Sequence, residues 1–483
     1  MPSDSPVQQR PNILFVVMDS VRAANVSCFG YERATTPNLD ALAQQGVLFE
    51  QAISVGCWTL PVHATIFTGL YPASHGLTVS KDALPDGFPT LARRLRELGY
   101  STACFSNNPY VSDASGLTQG FDTVEDLWRL TRPRGTARPR GSELGRRLRR
   151  RGPLGRAAFR ATRVIARARS TGKRWKEWRS ESDSGADATN ERLRSWLAGA
   201  SGSDSPFFAF VNYMESHERY NPPYPYNRRF LPGRLARWRA ARLRTKAEIL
   251  AATEAEREGS LETLRALYDG ALAYLDERIG ELVSSLEALG LLEDTVLIVT
   301  SDHGDSLGEH GHIGHRLFLY EQLVHVPLVI RYPARFVPGT RVRGQVQLGD
   351  LYPTVLDLAG DLSAAESSSG FASLLAAPET AVHPYAIAEN TAPKSLDGMR
   401  MRMVRGDRFK YIWKSNGEQE LYDLAEDPGE TVDLTASRPD VVGAMATRLD
   451  GWERSLADTQ IETREAAYDE ETLQRLRGLG YIG

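Results

Sequence analysis

The run PNILFVVMDS, residues 11–20, decides how the rest of the chain is read. Ile13 to Met18 are apolar without interruption, rich in β-branched and aromatic side chains, and the run stops at Asp19. A strand with one wet face alternates polar and apolar residues, whereas a strand without alternation is buried on both faces, as in a parallel sheet covered by helices. Asp19 then falls at the carboxyl end of such a strand. Runs of the same kind recur at Phe207 to Asn212, Thr295 to Thr300 and Val326 to Ile330, with helical patterns between them at Asn38 to Gln45, Thr90 to Leu98 and Leu264 to Leu289. Strands alternating with helices predict an α/β fold with a mostly parallel, doubly wound central sheet, whose ligand sites lie beyond the carboxyl ends of strands. Asp19 and Asp302 both take that position.

Outward from this core, 483 residues suffice for one large α/β domain and a smaller appended one. From about Ala377 the strands become short and polar, with Phe409 to Trp413 and Glu420 to Asp423 marking a small C-terminal subdomain. The expected division is a catalytic unit over residues 10–376 and a C-terminal unit over 377–483. Between Leu127 and Ser180, 19 Lys and Arg stand against two Glu, although the whole chain carries only -3. This basic segment, 127–180, reads as an insertion in the catalytic unit, and a second basic stretch follows from Arg228 to Lys246. Three scattered cysteines, Cys28, Cys57 and Cys104, are too few for a disulfide framework and fit a reducing compartment. The first residues lack a signal-peptide pattern, and no apolar run reaches the roughly 18 residues of a spanning helix. These features predict a soluble, cytoplasmic protein.

Three distant stretches supply chemistry. Asp19 is the first, either a metal ligand or a cap of the turn that follows. The second is Gly56-Cys57-Trp58-Thr59-Leu60-Pro61-Val62-His63. Pro61 suits the first turn of a helix, which puts Thr59 near the N-cap, where unpaired N–H groups and the helix dipole favour an anion. Thr59 alone reads as a simple cap; as a nucleophile its hydroxyl needs a metal or a base to activate it. The third stretch, Thr300 to His315, holds four of the nine histidines, His303, His310, His312 and His315, together with Asp302 and Asp305. Carboxylate and imidazole together suit a divalent ion such as Zn²⁺, Mn²⁺ or Fe²⁺ better than an all-oxygen Ca²⁺ site.

The order PNILFVVMDS, TTPNLDALAQQGVLFEQA, WTLPVHATIFTGLYPASHG, TSDHGDSLGEHG, LGDLYPTVLDLAG and LYDLAEDPGE resembles the sulfatase family of the alkaline phosphatase superfamily from end to end. Only the basic insertion lacks a counterpart. The resemblance implies an alkaline phosphatase-like fold, a largely parallel sheet between helices with a small C-terminal antiparallel sheet. It also implies an ester hydrolase with a metal site. Sulfatases start that site with two adjacent aspartates, where this chain has Asp19 and Ser20. Their nucleophile is a Cys or Ser converted to formylglycine in a C/S-x-P-x-R signature, where this chain has Thr59, Pro61 and His63. Thr59 cannot form the aldehyde, so no formylglycine is expected, and the chain reads as a threonine variant. The family's Lys-x-His pair has no match in Thr102 to Pro109; Asn107 or Asn108 takes the substrate-binding task there. The metal pair Asp-Asn becomes Asp302-His303, the lysine after GEHG becomes His315, and His217 matches a substrate-contacting histidine.

The resulting expectation is a hydrolase of phosphate or sulfate esters, with a phosphodiester or phosphonate monoester preferred to an aryl sulfate. Asp19, Thr59, Asp302 and His303 hold the metal, and Thr59 attacks. His63, His217 and His315 are the further catalytic candidates, with His217 or His315 protonating the leaving oxygen, and His310 joins the two asparagines at the substrate. One metal is preferred to two, with His310, His312 and His63 the candidates for a second. Two other readings are a transferase of phosphoryl-linked head groups and a non-catalytic protein holding nucleic acid or an anionic membrane through the basic insertion, whose Arg residues are interleaved with Trp128, Trp175 and Trp178.

Overall fold

The computed structural model describes residues 10–130, 183–218, 220–240, 246–315, 317–361, 370–375, 383–390, 398–456 and 459–481. The basic insertion from residue 131 on, with Trp175 and Trp178, and the expected boundary at 376/377 lie outside the described residues.

The opening run forms β1 (Asn12–Met18), and every one of its residues from Ile13 on is buried. Alternate side chains leave on opposite faces: Ile13, Phe15 and Val17 enter one core, and Leu14, Val16 and Met18 enter another. The strands that join β1 are β2 (Val47–Ile53), β3 (Ser101–Ser106), β4 (Thr123–Asp126), β5 (Phe207–Tyr213), β6 (Thr295–Thr300), β7 (His325–Val326), β8 (Leu328–Arg331) and β9 (Thr340–Gln347). Together they make a nine-stranded sheet in which β1 lies parallel between β5 and β6, and β3 lies parallel between β4 and β5. The run Val326 to Ile330, read as one strand, is two. Pro327 has no N–H to give the ladder and separates β7 from β8; both run antiparallel to β2, and β8 also runs antiparallel to β6.

Helices cover both faces. Leu60 and Val62 of α2 (Thr59–Thr68), Leu91 and Leu95 of α3 (Leu91–Glu97), and Leu351 and Val355 of α6 (Leu351–Leu358) fill the first core. Leu39 and Leu42 of α1 (Pro37–Gln45), Leu193 and Leu197 of α4 (Ala186–Ala200), and Leu272, Leu275 and Ile279 of α5 (Glu254–Ala288) fill the second. Each fully buried aliphatic or aromatic side chain contributes about 1.5–3 kcal/mol by leaving water, which fixes the strand ends that carry the polar groups. No helix among the described residues is long and apolar enough to cross a membrane.

The C-terminal part is the small antiparallel sheet expected: β10 (Ala386–Asn390), β11 (Met401–Arg405), β12 (Phe409–Lys414) and β13 (Gln419–Asp423) pair in sequence order. Ionic contacts tie it to the main unit. The fully buried Lys410 ammonium lies 3.0 Å from Glu321 and 2.8 Å from Glu430, and Arg405 reaches Glu321 at 3.0 Å. After α7 (Pro439–Ser455) the chain returns to the main unit: Arg464 and Glu465 pair antiparallel with Ala83 and Asp82. It then enters α8 (Glu470–Gly478), capped by the Asp469 carboxylate on the Thr472 N–H at 2.7 Å. Arg129 bridges to Asp469 and Glu471 at 3.1 and 2.8 Å. This path delivers Tyr481 to the carboxyl end of β1.

Candidate active site

Two parallel strands end side by side at this point, β1 one residue before Asp19 and β6 two residues before Asp302. Between them Ser20 takes a φ of 65°, a left-handed conformation uncommon for serine. There its N–H donates to Asp302 Oδ1 at 3.2 Å, its hydroxyl donates to Asp19 Oδ1 at 3.0 Å, and its carbonyl accepts from the Tyr268 hydroxyl at 2.8 Å. Ser20 thus holds both aspartates in place. Gly304 fixes the following loop, because a Cβ there would lie 2.0 Å from the Gln322 carbonyl oxygen.

Asp302 Oδ1 accepts a second bond from the His303 N–H at 2.9 Å, while Oδ2 accepts none and lies 3.4 Å from His303 Nε2 and 3.7 Å from His63 Nδ1. His303 Nδ1 donates to the Gly304 carbonyl at 2.8 Å, so the neutral ring presents a bare Nε2, which has no hydrogen-bond partner. Asp19 Oδ1 is 4.0 Å from that nitrogen. All three residues are fully buried, and one donor atom from each lies within 4.8 Å of the others. Burial, and then the charge of Asp19, pushes the Asp302 carboxyl up. Burial would also raise Asp19, but His217, His303 and His63 and the Asn108 amide hold it below the usual carboxylate range. Burial pushes His303 down to about 4 against the pull of Asp19. Two adjacent buried carboxylates facing an unprotonated imidazole nitrogen are the donor set a divalent cation satisfies.

Thr59 opens α2 as its first helical residue, one position inside the expected N-cap, which is Trp58. Its Oγ1 lies 3.5 Å from Asp19 Oδ2 and 3.3 Å from the Tyr481 hydroxyl, and it accepts from Asn108 Nδ2 at 3.3 Å. The Asn108 amide also donates to Asp19 Oδ2 at 2.8 Å. The two asparagines therefore separate: Asn107 turns its amide to Thr189 Oγ1 and the Asn212 carbonyl, at 2.7 and 3.1 Å, and contributes no described contact to the site. His63 sits one helical turn beyond Thr59, with Nδ1 donating to the Thr59 carbonyl at 3.0 Å and Nε2 3.4 Å from the Asn212 amide. It buttresses Thr59 and Asp302 from the core, and burial lowers it to about 4.

His217 and His315 line the opposite side. His217 Nδ1 donates to the Glu218 carbonyl at 2.9 Å, and Nε2 lies 2.7 Å from the Tyr481 hydroxyl. His315 packs between His303 and His217, with ring centroids 4.5 and 4.9 Å away, and its Nδ1 is 3.6 Å from Asp305 Oδ1. His310, expected at the substrate, stacks on Tyr320 at 3.9 Å, and His312 stacks on Phe318 at 4.0 Å. Neither joins His63, so the trio considered for a second metal is not assembled. Among the described residues one further donor group is Glu218, Asp305 and His315, where the Lys246 ammonium pairs with Glu218 and the Tyr220 hydroxyl donates to Asp305 at 2.5 Å. That group already contains its own cation.

Sequence reasoning missed Tyr481, which touches both Thr59 and His217, and Met214, whose sulfur lies 3.2 Å from Asn108 Nδ2. Neither sits in a polar cluster or a recognisable motif, so no local signal marks them.

A family model described as Sulfatase matches residues 11–361, and one described as N-sulphoglucosamine sulphohydrolase, C-terminal, matches residues 308–453. Among curated proteins, Arylsulfatase K of Xenopus laevis is 24% identical over 94% of this chain and 84% of its own length. Arylsulfatase K of Bos taurus is 32% identical over 40% of this chain, a match spanning 37% of that relative's length. Among solved structures, the phosphonate monoester hydrolase of Agrobacterium radiobacter shares the fold with a TM-score of 0.69 and 23% identity, over 94% of this chain and 97% of the other. The family model spans the chain from β1 through the paired strand ends to α6, about three quarters of its length, and with it this chain belongs to the sulfatase family of hydrolases.

Proposed function

We propose that the chain is a metal-dependent hydrolase of phosphate or sulfate esters, preferring phosphonate monoesters or phosphodiesters to aryl sulfates, in which the Thr59 hydroxyl attacks the substrate. The observation that carries this reading is the position of Thr59 Oγ1, at the entrance of α2 and 3.5 Å from an aspartate that itself faces Asp302 and His303. Asp19, Asp302 and His303 would hold the cation, with Thr59 beside them as a further ligand, and the cation would supply Lewis-acid stabilisation of the anionic substrate and a lowered hydroxyl pKa. Family members usually hold Ca²⁺; the imidazole of His303 in the donor set favours Zn²⁺, Mn²⁺ or Fe²⁺ here.

The chain's own groups divide the rest of the work. The Asn108 amide, already aimed at Thr59, donates to a non-bridging oxygen. The first N–H groups of α2 face the same anion. His217, with His315 against it, returns a proton to the departing oxygen, a task suited to an imidazole. Attack by a threonine produces an ester that water must then cleave, so the reaction proceeds in two displacements.

The test is a panel of aryl phosphate monoesters, phosphodiesters, phosphonates and sulfates with metal-depleted and metal-reconstituted protein, beside Thr59→Ala. The expected result is turnover that requires Zn²⁺, Mn²⁺ or Fe²⁺ and is lost in Thr59→Ala, with rapid quenching trapping a phosphoryl- or sulfuryl-modified peptide that contains Thr59. Full turnover in Thr59→Ala would remove threonine as the nucleophile.

A further inference from the structure

We infer that Tyr481 is a catalytic residue of this enzyme, relaying the Thr59 proton to His217 as the nucleophile attacks. The inference rests on the reading of Thr59 as nucleophile and adds a residue and a path to it.

Hydrogen-bond direction carries the argument. The Glu218 carbonyl can only accept, so His217 Nδ1 bears a proton, and the tautomer able to take up a further proton has Nε2 as its acceptor. At 2.7 Å from that nitrogen, the Tyr481 hydroxyl donates to it. Its single hydrogen being used there, the Tyr481 oxygen can only accept from Thr59 Oγ1, 3.3 Å away. Asn108 has N–H groups alone on the side facing Thr59. The other acceptor within reach of the Thr59 proton is Asp19 Oδ2 at 3.5 Å, which already takes the Asn108 amide and faces the cation site. The donor sequence is therefore Thr59 to Tyr481 to His217. Tyr481 is 4% exposed and its ring is held edge-on to Tyr110 with centroids 4.7 Å apart, so the relay is shielded from water and fixed in place.

The proton count closes. As the Thr59 Oγ bond to phosphorus or sulfur forms, the Oγ–H proton moves to the Tyr481 oxygen while the Tyr481 proton moves to His217 Nε2. Both shifts occur together, so no free tyrosinate is required. The bond to the leaving oxygen breaks with its electron pair, and that oxygen takes the proton from His217. In the second displacement water attacks the Thr59 ester and gives its proton to His217. The released Thr59 oxygen recovers a proton back through Tyr481. The net change is ester plus water to alcohol plus acid.

The test compares Tyr481→Phe, which keeps the ring against Tyr110, with Thr59→Ala, His217→Gln and the double variant of Tyr481→Phe with His217→Gln. Substrate turnover, metal content and single-turnover formation of the Thr59 ester are measured in mixtures of H2O and D2O. The expected result is an ester-forming step slowed about 10²-fold in Tyr481→Phe, with KM and metal content within about three-fold. The wild-type rate should bow downward with deuterium fraction, as two moving protons require, and become linear in Tyr481→Phe. The double variant should be no slower than His217→Gln, since both members serve one path. Wild-type or faster turnover in Tyr481→Phe, or slower turnover that keeps the bowed dependence, would overturn the relay. With Thr59→Ala inactive, those outcomes leave the nucleophile standing; an active Thr59→Ala removes the nucleophile instead.

Discussion

On one side of Thr59, Asp19, Asp302 and His303 sit at the ends of adjacent parallel strands; on the other, His217, His315 and Tyr481 are brought in by loops and by the chain's return from the C-terminal sheet. The first side is set by sheet register. Its donors are spaced by the strand pairing, and Ser20 and Gly304 hold them to the backbone. The second side is held by ring packing and a few long-range hydrogen bonds. A sheet thus places its three donors by register, and the segments around it bring in their rings by packing.

The largest effect that would break this division comes from Asp302→Asn. The side-chain carbonyl can keep the bonds from Ser20 and His303, and the new amide can donate to the bare His303 Nε2. Cation binding should weaken and turnover should fall about 10³-fold. The metal-free protein should gain about 1 kcal/mol, because a buried carboxylate that burial and Asp19 push up is gone. Metal titration and thermal melts of the metal-free form check both signs; a loss of stability together with activity would show that Asp302 is chiefly structural. His217→Gln tests the other side. A fall in kcat of about 10²-fold with metal affinity unchanged is expected, measured by kinetics beside metal analysis, and loss of the metal would join the two sides into one.

An effect of pH sharpens the comparison on the side of the core. His75, buried between Thr65 and the Pro61 carbonyl beneath α2, is lowered by burial to about 3. An unfolded histidine takes up its proton near pH 6.5, whereas the folded one does not until about pH 3. Its stabilising contribution is therefore complete above about pH 6.5 and is lost as pH falls toward 3. Replacing His75 with Gln should reduce the acid-side slope of stability by about 1.4 kcal/mol per pH unit, read from urea unfolding at pH 4.5, 5.5 and 6.5. The smallest effect expected is that of His310→Ala, less than about two-fold on kcat/KM, because its ring stacks on Tyr320 outside the site.

The side set by the sheet was the legible one. An uninterrupted apolar run ending in an aspartate gives both a strand and the position of its terminal carboxylate, and Asp302-His303 follows the same logic after Thr295 to Thr300. Thr59 was marked by Pro61 and the helix that follows. Asn107 and Asn108 are not separable in the sequence, because at a strand end one residue of register decides which of two neighbours faces the site. His310 looked like a ligand because histidines cluster around it, yet its own φ of 51° and the left-handed Gly308 and Gly311 turn the loop and send the ring to Tyr320. Tyr481 was illegible for a different reason: its partner Thr59 lies 422 positions away, and no local pattern encodes a contact of that range.

That separation sets the order in which activity can arise during synthesis. The strands that end beside Asp19 and Asp302 pair without Arg464 and Glu465, but Tyr481 follows these two, which pair with Ala83 and Asp82. A nascent chain that has paired β1 with β6 but not yet Arg464 and Glu465 with Ala83 and Asp82 would have Asp19, Asp302 and His303 together without Tyr481 beside Thr59.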